Sequence, residues 1–393
     1  MNANRPYLVI PKLIEQPTWG GTYIVETKRW DSLPSISGKK IGQSYELYDK
    51  SNLSLIERSD DPVFAPELSD NKAVERQSVV AGSISLTSII QNDPEAVLGK
   101  RVFHTYGAVM PLLLKFTQAL GNSFQLHLPD GTSHPKWRTK PESWYYFEPG
   151  LITCGVKQGI DWDEYKNAVT KLDEKVQSFA SMVRTGAKPY EQAKKEIDDL
   201  IAMYNPWQYV NLVRVEKGQL LDLSSCGIHH SWEEDLATIP LGNVLYEIQL
   251  NVMDDAATIR NFDKGKMSQD GKLRTLHIDD YFAFVDRSPE ANDPQTHLRM
   301  PTVITQSSAY SHERILSTKY YSMDRLTLTS KDAEFVERID SFRHVFIRSG
   351  SAEITANGTT LFVTSGHSAF IPASCKEFSM QSSSSRSEIL ISY

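Results

Sequence analysis

Along most of the chain apolar and polar residues alternate, and a period of two predicts strands with one buried face rather than helices. Residues 242–252 (GNVLYEIQLNV) are the clearest case, with Val244, Tyr246, Ile248 and Leu250 on one face. Residues 124–128 (FQLHL) alternate in the same way. Residues 7–48 mix short strand-like runs with turn clusters such as Gly20-Gly21, which predicts an all-β entry. Towards the C-terminus, HVFIRSGSAEITANGTTLFVTSGHSAFIP breaks at Ser-Gly, Asn-Gly and Ser-Gly pairs about every eight to ten residues, the signature of a meandering barrel or sandwich.

Two segments depart from this rhythm. Residues 83–98 end in a helix start, where Asp93 can cap and Pro94 fits the first turn. Residues 160–204 carry Trp162, Tyr165, Ala168, Val169, Leu172 and Val176, then Ala193, Ile197, Leu200 and Ile201, at helical spacing with Lys, Glu and Asp between them. Gly186 and Pro189 separate the two runs. The segment is therefore predicted to be an αα-hairpin inserted into a β-domain, capped by Asp161 or Asp163, serving as a cover over a barrel edge or as a lid. From Leu276 the chain is predicted to run irregularly for about forty residues as a link between barrels.

At 393 residues the chain can hold two or three domains, because a single core stops growing near ~250 to 300 residues. A formal charge of −7, without a Lys/Arg cluster or aromatics interleaved with one, gives no reason to expect nucleic-acid binding. No Gly-rich strand-to-helix loop is present, which argues against a dinucleotide fold. The N-terminal MNANRPYLVIPKLIEQ lacks an apolar core and no apolar run approaches ~18 residues, so neither a secretory signal nor a membrane span is expected. Cys154, Cys226 and Cys375 are odd in number and widely spaced, as reduced thiols of a cytoplasmic protein would be.

Against this background one stretch carries chemistry. Gln125 and His127 fall on the same face of a strand, and after the turn at residues 129–133 the chain reaches Lys140, Pro141 and Glu142 at the head of a second β-rich run. A hairpin-like return would bring Glu142 alongside Gln125 and His127. One carboxylate, one imidazole and one amide oxygen make an open metal site short of a ligand. His229 and His230, in CGIHHSW, are the candidates for the missing one. Lys140, two residues before Glu142, shares its face and reaches the same cavity.

These motifs, SFQLHLPDG, TKPESWYYF, SCGIHHSW and LYEIQLNVMDDAATIRNF, in this order, resemble the metal-site segments of the type I mannose-6-phosphate isomerases. IPKLIEQPTWGGTYI, IGQSYELYD and MPLLLKF resemble that family's earlier segments, so the likeness covers nearly the whole chain. It implies a mainly β fold of two cupin-type jelly-roll barrels with a helical insertion in the first. The expected division is residues 1–159 and 205–270 for a metal-binding cupin, 160–204 for the hairpin, and 271–393 for a linker and a C-terminal cupin without metal. The family's Gly-x-x-His pattern selects His230 as the fourth ligand, giving Gln125, His127, Glu142 and His230 around one Zn2+ per chain.

The implied activity is aldose–ketose isomerisation of mannose 6-phosphate and fructose 6-phosphate through an enediol(ate), in a cytoplasmic enzyme of carbohydrate metabolism whose partner is a small sugar phosphate. By the same resemblance Arg260 stands where the family has its catalytic arginine, with Lys140 beside it, and Lys115 and Ser123 contact substrate. Lys264 or Lys266 would add positive charge. The family's acidic residue four places before the arginine is here Ala256, with Asp254 and Asp255 just upstream. An isomerase of another sugar and a non-catalytic sugar-binding cupin are the competing readings; a pure binder would need neither Lys140 nor Arg260.

Overall fold

The computed structural model describes residues 3–69, 80–331 and 333–393. Strands dominate, arranged in sheets of nine, eight, five and four strands. They make two cupin-type units of two sheets each, and a helical pair is inserted in the first.

In the first unit the five-stranded sheet runs Val210–Val215, Gly150–Val156, His230–Trp232, Phe124–Leu126, Ile259–Phe262. It faces an eight-stranded sheet whose centre is formed by Glu142–Tyr146, Asn243–Leu250 and Leu112–Ala119. Trp144, Tyr146 and Leu245 of the larger sheet pack against Ile152, Cys154 and Trp232 of the smaller. In the second unit, strands including Ser322–Leu328, Arg343–Ser349 and Ser387–Ser392 form most of the nine-stranded sheet, opposite the four strands Glu334–Arg338, Ser351–Ala356, Thr359–Thr364 and Glu377–Ser382.

The N-terminal segment contributes to both units. Tyr7–Ile10 pairs with the C-terminal strand Ser368–Ile371, Leu8 opposite Ala369, whereas Lys12–Glu15 pairs with Ile41–Leu47 in the eight-stranded sheet. Pro11, which has no N–H for either ladder, stands where the chain changes sheets.

The eight-stranded sheet is buried on both faces. Strand Asn243–Leu250 places Val244, Tyr246 and Ile248 in the core shared with the second unit, where Tyr246 packs on Phe346 at 4.8 Å between ring centroids. Its other face carries Asn243, Glu247 and Gln249, also buried. Each unpaired polar group on a buried face costs free energy. Asn243 is satisfied by backbone groups, accepting from Leu151 N–H and donating to Glu233 O, Glu247 by the site described below, and the Gln249 amide has no partner among the described residues.

The helical segment is Trp162–Arg184 followed by Tyr190–Tyr204, between two strands that pair antiparallel with Gly150 opposite Val215. Of the two candidate caps, Asp161 is the one used: its side chain accepts from the backbone N–H of Asp163 and Glu164 at 2.9 and 3.0 Å. Tyr165, Val169, Leu172, Val176 and Ile197 are buried against Leu126, Ile259 and Phe262, on the outer side of the five-stranded sheet. Asp93 likewise caps Pro94–Leu98, accepting from Ala96 N–H.

The stretch after Leu276 is more ordered than its composition predicts. It contains a helix, Ile278–Phe284, and strands Leu298–Arg299, Thr302–Gln306 and Tyr310–Ser317. The helix is short, and Thr302–Gln306 is an edge strand exposed along its whole length, so it has no buried face to leave a period-two pattern. Among the described residues no helix is long and apolar enough to cross a membrane.

One buried ion pair ties the two units together. Lys28 Nζ lies 2.7 Å from Glu46 Oε1 with both side chains fully buried, and Lys28 also donates to Gly366 O. Ser44 donates to Glu46 Oε1 at 2.6 Å, and Ser368 of the nine-stranded sheet donates to Oε2 at 3.1 Å. Removing the carboxylate would strand a buried ammonium. Glu46→Ala is expected to lower the unfolding free energy by about 3–5 kcal/mol in chemical denaturation.

Candidate metal centre and the cavity around it

Strand pairing in the five-stranded sheet sets Gln125 directly beside His230 on one neighbour and Arg260 on the other. The three side chains stand in a row, and His127 lies two residues beyond Gln125 on the same face. Glu142 comes from the opposite sheet, where it pairs with Gln249. The carboxylate therefore meets the imidazoles across the sandwich, not through the hairpin-like return expected from the chain order.

His127 Nε2 is 3.3 Å from Glu142 Oε2, and His230 Nε2 is 3.4 Å from Glu142 Oε1. The other ring nitrogens are committed, as His127 Nδ1–H donates to Ala257 O at 2.9 Å and His230 Nδ1–H to Ile228 O at 2.9 Å. Both Nε2 atoms consequently present lone pairs to a carboxylate, and His127 Nε2 has no hydrogen-bond partner among the described residues. Burial lowers the His127 pKa, which the Glu142 charge only partly offsets, so the ring is neutral at pH 7. Burial pushes the Glu142 carboxyl up, but His127 and Lys140 beside it hold it well below the usual range. Three buried acceptors turned on one point fit a divalent cation, and backbone carbonyls holding the far nitrogens are the usual support for histidine ligands. Among the described residues His127, Glu142 and His230 are the one group of three such side chains whose ligand atoms gather this closely, within 4.8 Å.

Gln125 adjoins this group. Its amide nitrogen faces His230 Nε2 at 3.4 Å while Ser123 Oγ donates to its Oε1 at 3.1 Å. With the two ends of the amide exchanged, the oxygen would face the centre and Ser123 would accept from the nitrogen, so Ser123 supports either orientation. His229 points to the opposite face of its strand, where it hydrogen-bonds with Tyr281 OH at 2.6 Å and Thr153 Oγ1 at 2.9 Å. In the second unit His344 Nδ1 lies 3.3 Å from Tyr246 OH, and His367 Nδ1–H donates to Ser365 O at 3.0 Å.

A cavity of about 740 Å³ opens beside the centre. Two of its cations are matched by carboxylates. Lys140 Nζ is 2.5 Å from Asp254 Oδ1 and 3.5 Å from Glu142 Oε2. Lys115 Nζ is 3.4 Å from Glu247 Oε2; burial lowers the Lys115 pKa, but Glu247 more than reverses this and keeps the group charged. Thr117 and Gln43 donate to Glu247 Oε1, which accounts for that buried acid.

Farther from the centre the balance changes. Among the described residues the Arg260 side chain donates only to Thr258 O and its Nε has no partner; burial, then the nearby Arg274, lower its pKa against the opposing pull of Asp254, Asp263 and Asp255. Lys266 Nζ donates to Gly121 O at 2.6 Å, and burial, which Asp263 only partly offsets and Arg274 and Lys264 reinforce, depresses its pKa to about 8. Arg274 is held by Asp263 at 2.7 Å, and Lys264 by Glu233 at 2.7 Å. Of these groups, Glu247 had a signal in the sequence, the one acid on a strand whose other residues are apolar or amide. Arg274 had none, lying in a turn-rich stretch without periodicity.

Fold and site together define a two-cupin protein with a metal-capable centre in its first cupin. Comparison with known proteins narrows this. Residues 312–392 match the family model for the mannose-6-phosphate isomerase cupin domain. The mannose 6-phosphate isomerase of Bacillus subtilis is similar over 99% of both chains at 16% identity and a TM-score of 0.64. A mannose 6-phosphate isomerase bound with zinc and yttrium is 14% identical, with 98% of this chain and 99% of that one covered and a TM-score of 0.62. A single-residue variant of phosphomannose isomerase from Salmonella typhimurium is 13% identical, with 98% and 99% covered and a TM-score of 0.63. No curated protein matches. The chain has the fold of the type I mannose-6-phosphate isomerases, and its C-terminal cupin is of that family's kind.

The two adjacent histidines offer a discriminating test. His230→Leu is expected to abolish binding of a divalent metal, followed by titration against a chromophoric chelator. His229→Leu should keep metal binding but lose about 1–3 kcal/mol of stability, because the Tyr281 and Thr153 hydroxyls lose a buried partner.

Proposed function

We propose that the protein is a metal-dependent aldose–ketose isomerase that interconverts mannose 6-phosphate and fructose 6-phosphate. The observation that carries this reading is the pairing, within one cavity, of a centre made of three converging acceptors with an end where Arg260 and Lys266 lack anionic partners among the described residues. A metal centre suits the hydroxyl and carbonyl oxygens of an open-chain sugar. A cationic end whose nearby carboxylates form no direct ion pair with it suits its phosphate.

Gln125, His127, Glu142 and His230 would hold one ion per chain, and two imidazoles with a carboxylate and an amide oxygen favour zinc among the common choices. When bound, such an ion supplies Lewis-acid polarisation of the sugar oxygens. Isomerisation then requires a proton to move between adjacent carbons through an enediol(ate). Lys140, paired with Asp254 at the cavity wall, is the acid–base unit closest to the centre. Arg260, in the row with Gln125 and His230, is placed to stabilise the negative charge that develops on the substrate, because its guanidinium stays charged and offers a fork of donors. Lys266 and Arg274, with Ser123 between them and the centre, would take the phosphate. Lys115 keeps Glu247 in place on the wall. The three buried free thiols fit a reducing compartment such as the cytoplasm.

A coupled assay with mannose 6-phosphate, run before and after chelation, tests the reading. Activity should disappear with the metal and return with about one equivalent of zinc per chain. Absence of turnover by the zinc-loaded protein would refute it, and turnover of a different sugar phosphate alone would reassign the substrate. Arg260→Ala is expected to lower kcat at least ~100-fold, with little recovery in Arg260→Lys, since a point charge cannot replace the fork. If kcat at saturation stays near normal, Arg260 anchors substrate and does not act on the transition state. Lys266 is charged below its pKa of about 8 and neutral above it. KM for the sugar phosphate should therefore rise as the pH passes through ~8, while an unphosphorylated competitor binds without that dependence.

A further inference from the structure

We propose that the helical hairpin of residues 160–204 is a clamp that positions the loop of residues 263–277, and through it the cations Lys266 and Arg274, for the phosphate of the substrate. This rests on the sugar-phosphate reading above and adds a part of the chain that touches neither metal nor cavity, since none of the cavity-lining residues belongs to the hairpin.

The loop leaves strand Ile259–Phe262 and has no regular structure until Ile278. Its ties to the cupin are made largely by the charged groups themselves: Lys264 to Trp232 O and Glu233, Lys266 to Gly121 O. The Lys266 contact cannot hold the loop in place while the phosphate competes for the same donor. The far end of the loop is tied back by His277 N–H to Arg260 O at 2.6 Å, and between the two ends the hairpin supports the loop at three points. Arg184 Nη1 donates to Gly271 O at 2.7 Å, and Tyr190 OH donates to Met267 O at 3.3 Å. The third is close backbone packing. A Cβ at Gly265 would lie 2.6 Å from Ile197 Cγ2 and 2.7 Å from Ile201 Cδ1, and one at Gly271 would lie 2.6 Å from Ala180 O. Both glycines have positive φ, +66° and +75°, so the loop adopts at these two points a path that only glycine follows without strain, and follows it against the helices. Met267 and Leu273 close the same apolar layer as Val169, Leu172 and Val176. Lys266 thus sits between Gly265 and Met267, both held by the hairpin, and Arg274 follows Leu273 in the same way.

A hairpin that merely covered the sheet would affect stability and leave phosphate recognition untouched. The two roles separate in the variant Arg184→Met/Tyr190→Phe, which removes both hydrogen bonds and keeps the side-chain volume. With zinc-loaded protein, inorganic phosphate binding by calorimetry and KM for mannose 6-phosphate should both weaken ~10-fold, the order expected when ordering worth one or two hydrogen bonds is lost. The kcat at saturation and zinc content should stay within about twofold of wild type. Arg184→Lys, which keeps a donor within reach of Gly271 O, should recover most of the phosphate affinity. Should the double variant fail to fold, Tyr190→Phe alone is expected to show a smaller shift in the same two quantities. Unchanged phosphate affinity and KM in a variant with a lowered melting temperature would overturn the clamp alone, as would a fall in kcat with KM and phosphate affinity unaltered. Wild-type protein that binds no phosphate would overturn the sugar-phosphate reading and the clamp with it.

Discussion

Three electron-pair donors meet in the interior of the first cupin without a proton to share, and the surrounding structure is arranged to make that convergence tolerable. His127 and His230 each spend their single N–H on a backbone carbonyl, so both turn a lone pair towards Glu142. Protonation of either ring would relieve the contact, yet burial opposes it at His127. Lys140, 3.5 Å from Glu142, stabilises the carboxylate from one side but leaves the His127 lone pair unanswered, and the Gln125 amide meets that of His230 only at 3.4 Å. A cation at the meeting point answers all three, which is why the donor set implies a metal more strongly than any one of its residues does.

Such a centre demands rigid walls, because a carboxylate from one sheet must meet imidazoles from another within a few tenths of an ångström. The second cupin provides one of them. Its Phe346 packs on Phe116, Phe147 and Tyr246, so the eight-stranded sheet has an apolar rear face pressed against protein instead of water. With the rear face closed, alternate residues of the same strands can be polar and buried at the front: Lys115, Glu142, Glu247. The second unit thereby shapes the site without contributing a side chain to the metal-capable group.

How far this was legible in the sequence depends on whether each feature is local. The Gln-x-His strand, the capped helical pair with its Gly and Pro break, and the turn-punctuated C-terminal sandwich are all written in spacings of a few residues, and the structure contains each. Adjacent His229 and His230 must point to opposite faces of a strand, but which one points inward depends on register with the Gln125 strand, a non-local fact. Glu142 shows the same limit. Its nearness to His127 was anticipated, but as a hairpin return, whereas the two strands belong to opposite sheets. Composition also hid order after Leu276, where Tyr281 and Phe282 bury a short helix and Thr302–Gln306 pairs with no buried face of its own. Asp254 was visible only as a departure from the family's spacing, and the structure places its carboxylate against Lys140.

Charge in the cavity is graded, and the gradient says more about a ligand than the total does. Next to the centre each cation has its carboxylate, Lys140 with Asp254 and Lys115 with Glu247, so that region is polar yet close to neutral. Towards the loop of residues 263–277 the compensation thins. Arg274 is matched by Asp263, but Arg260 and Lys266 rest on carbonyl oxygens, and burial already costs both of them part of their affinity for a proton. Partly desolvated cations whose nearest carboxylates, Asp254, Asp255 and Asp263, form no direct ion pair with them gain when an anion enters. A neutral sugar would satisfy the first region only, and a small anion such as phosphate the second only. A ligand with hydroxyls at one end and a phosphate at the other satisfies both, and the distance between its two ends would fix how it lies across the metal-capable centre.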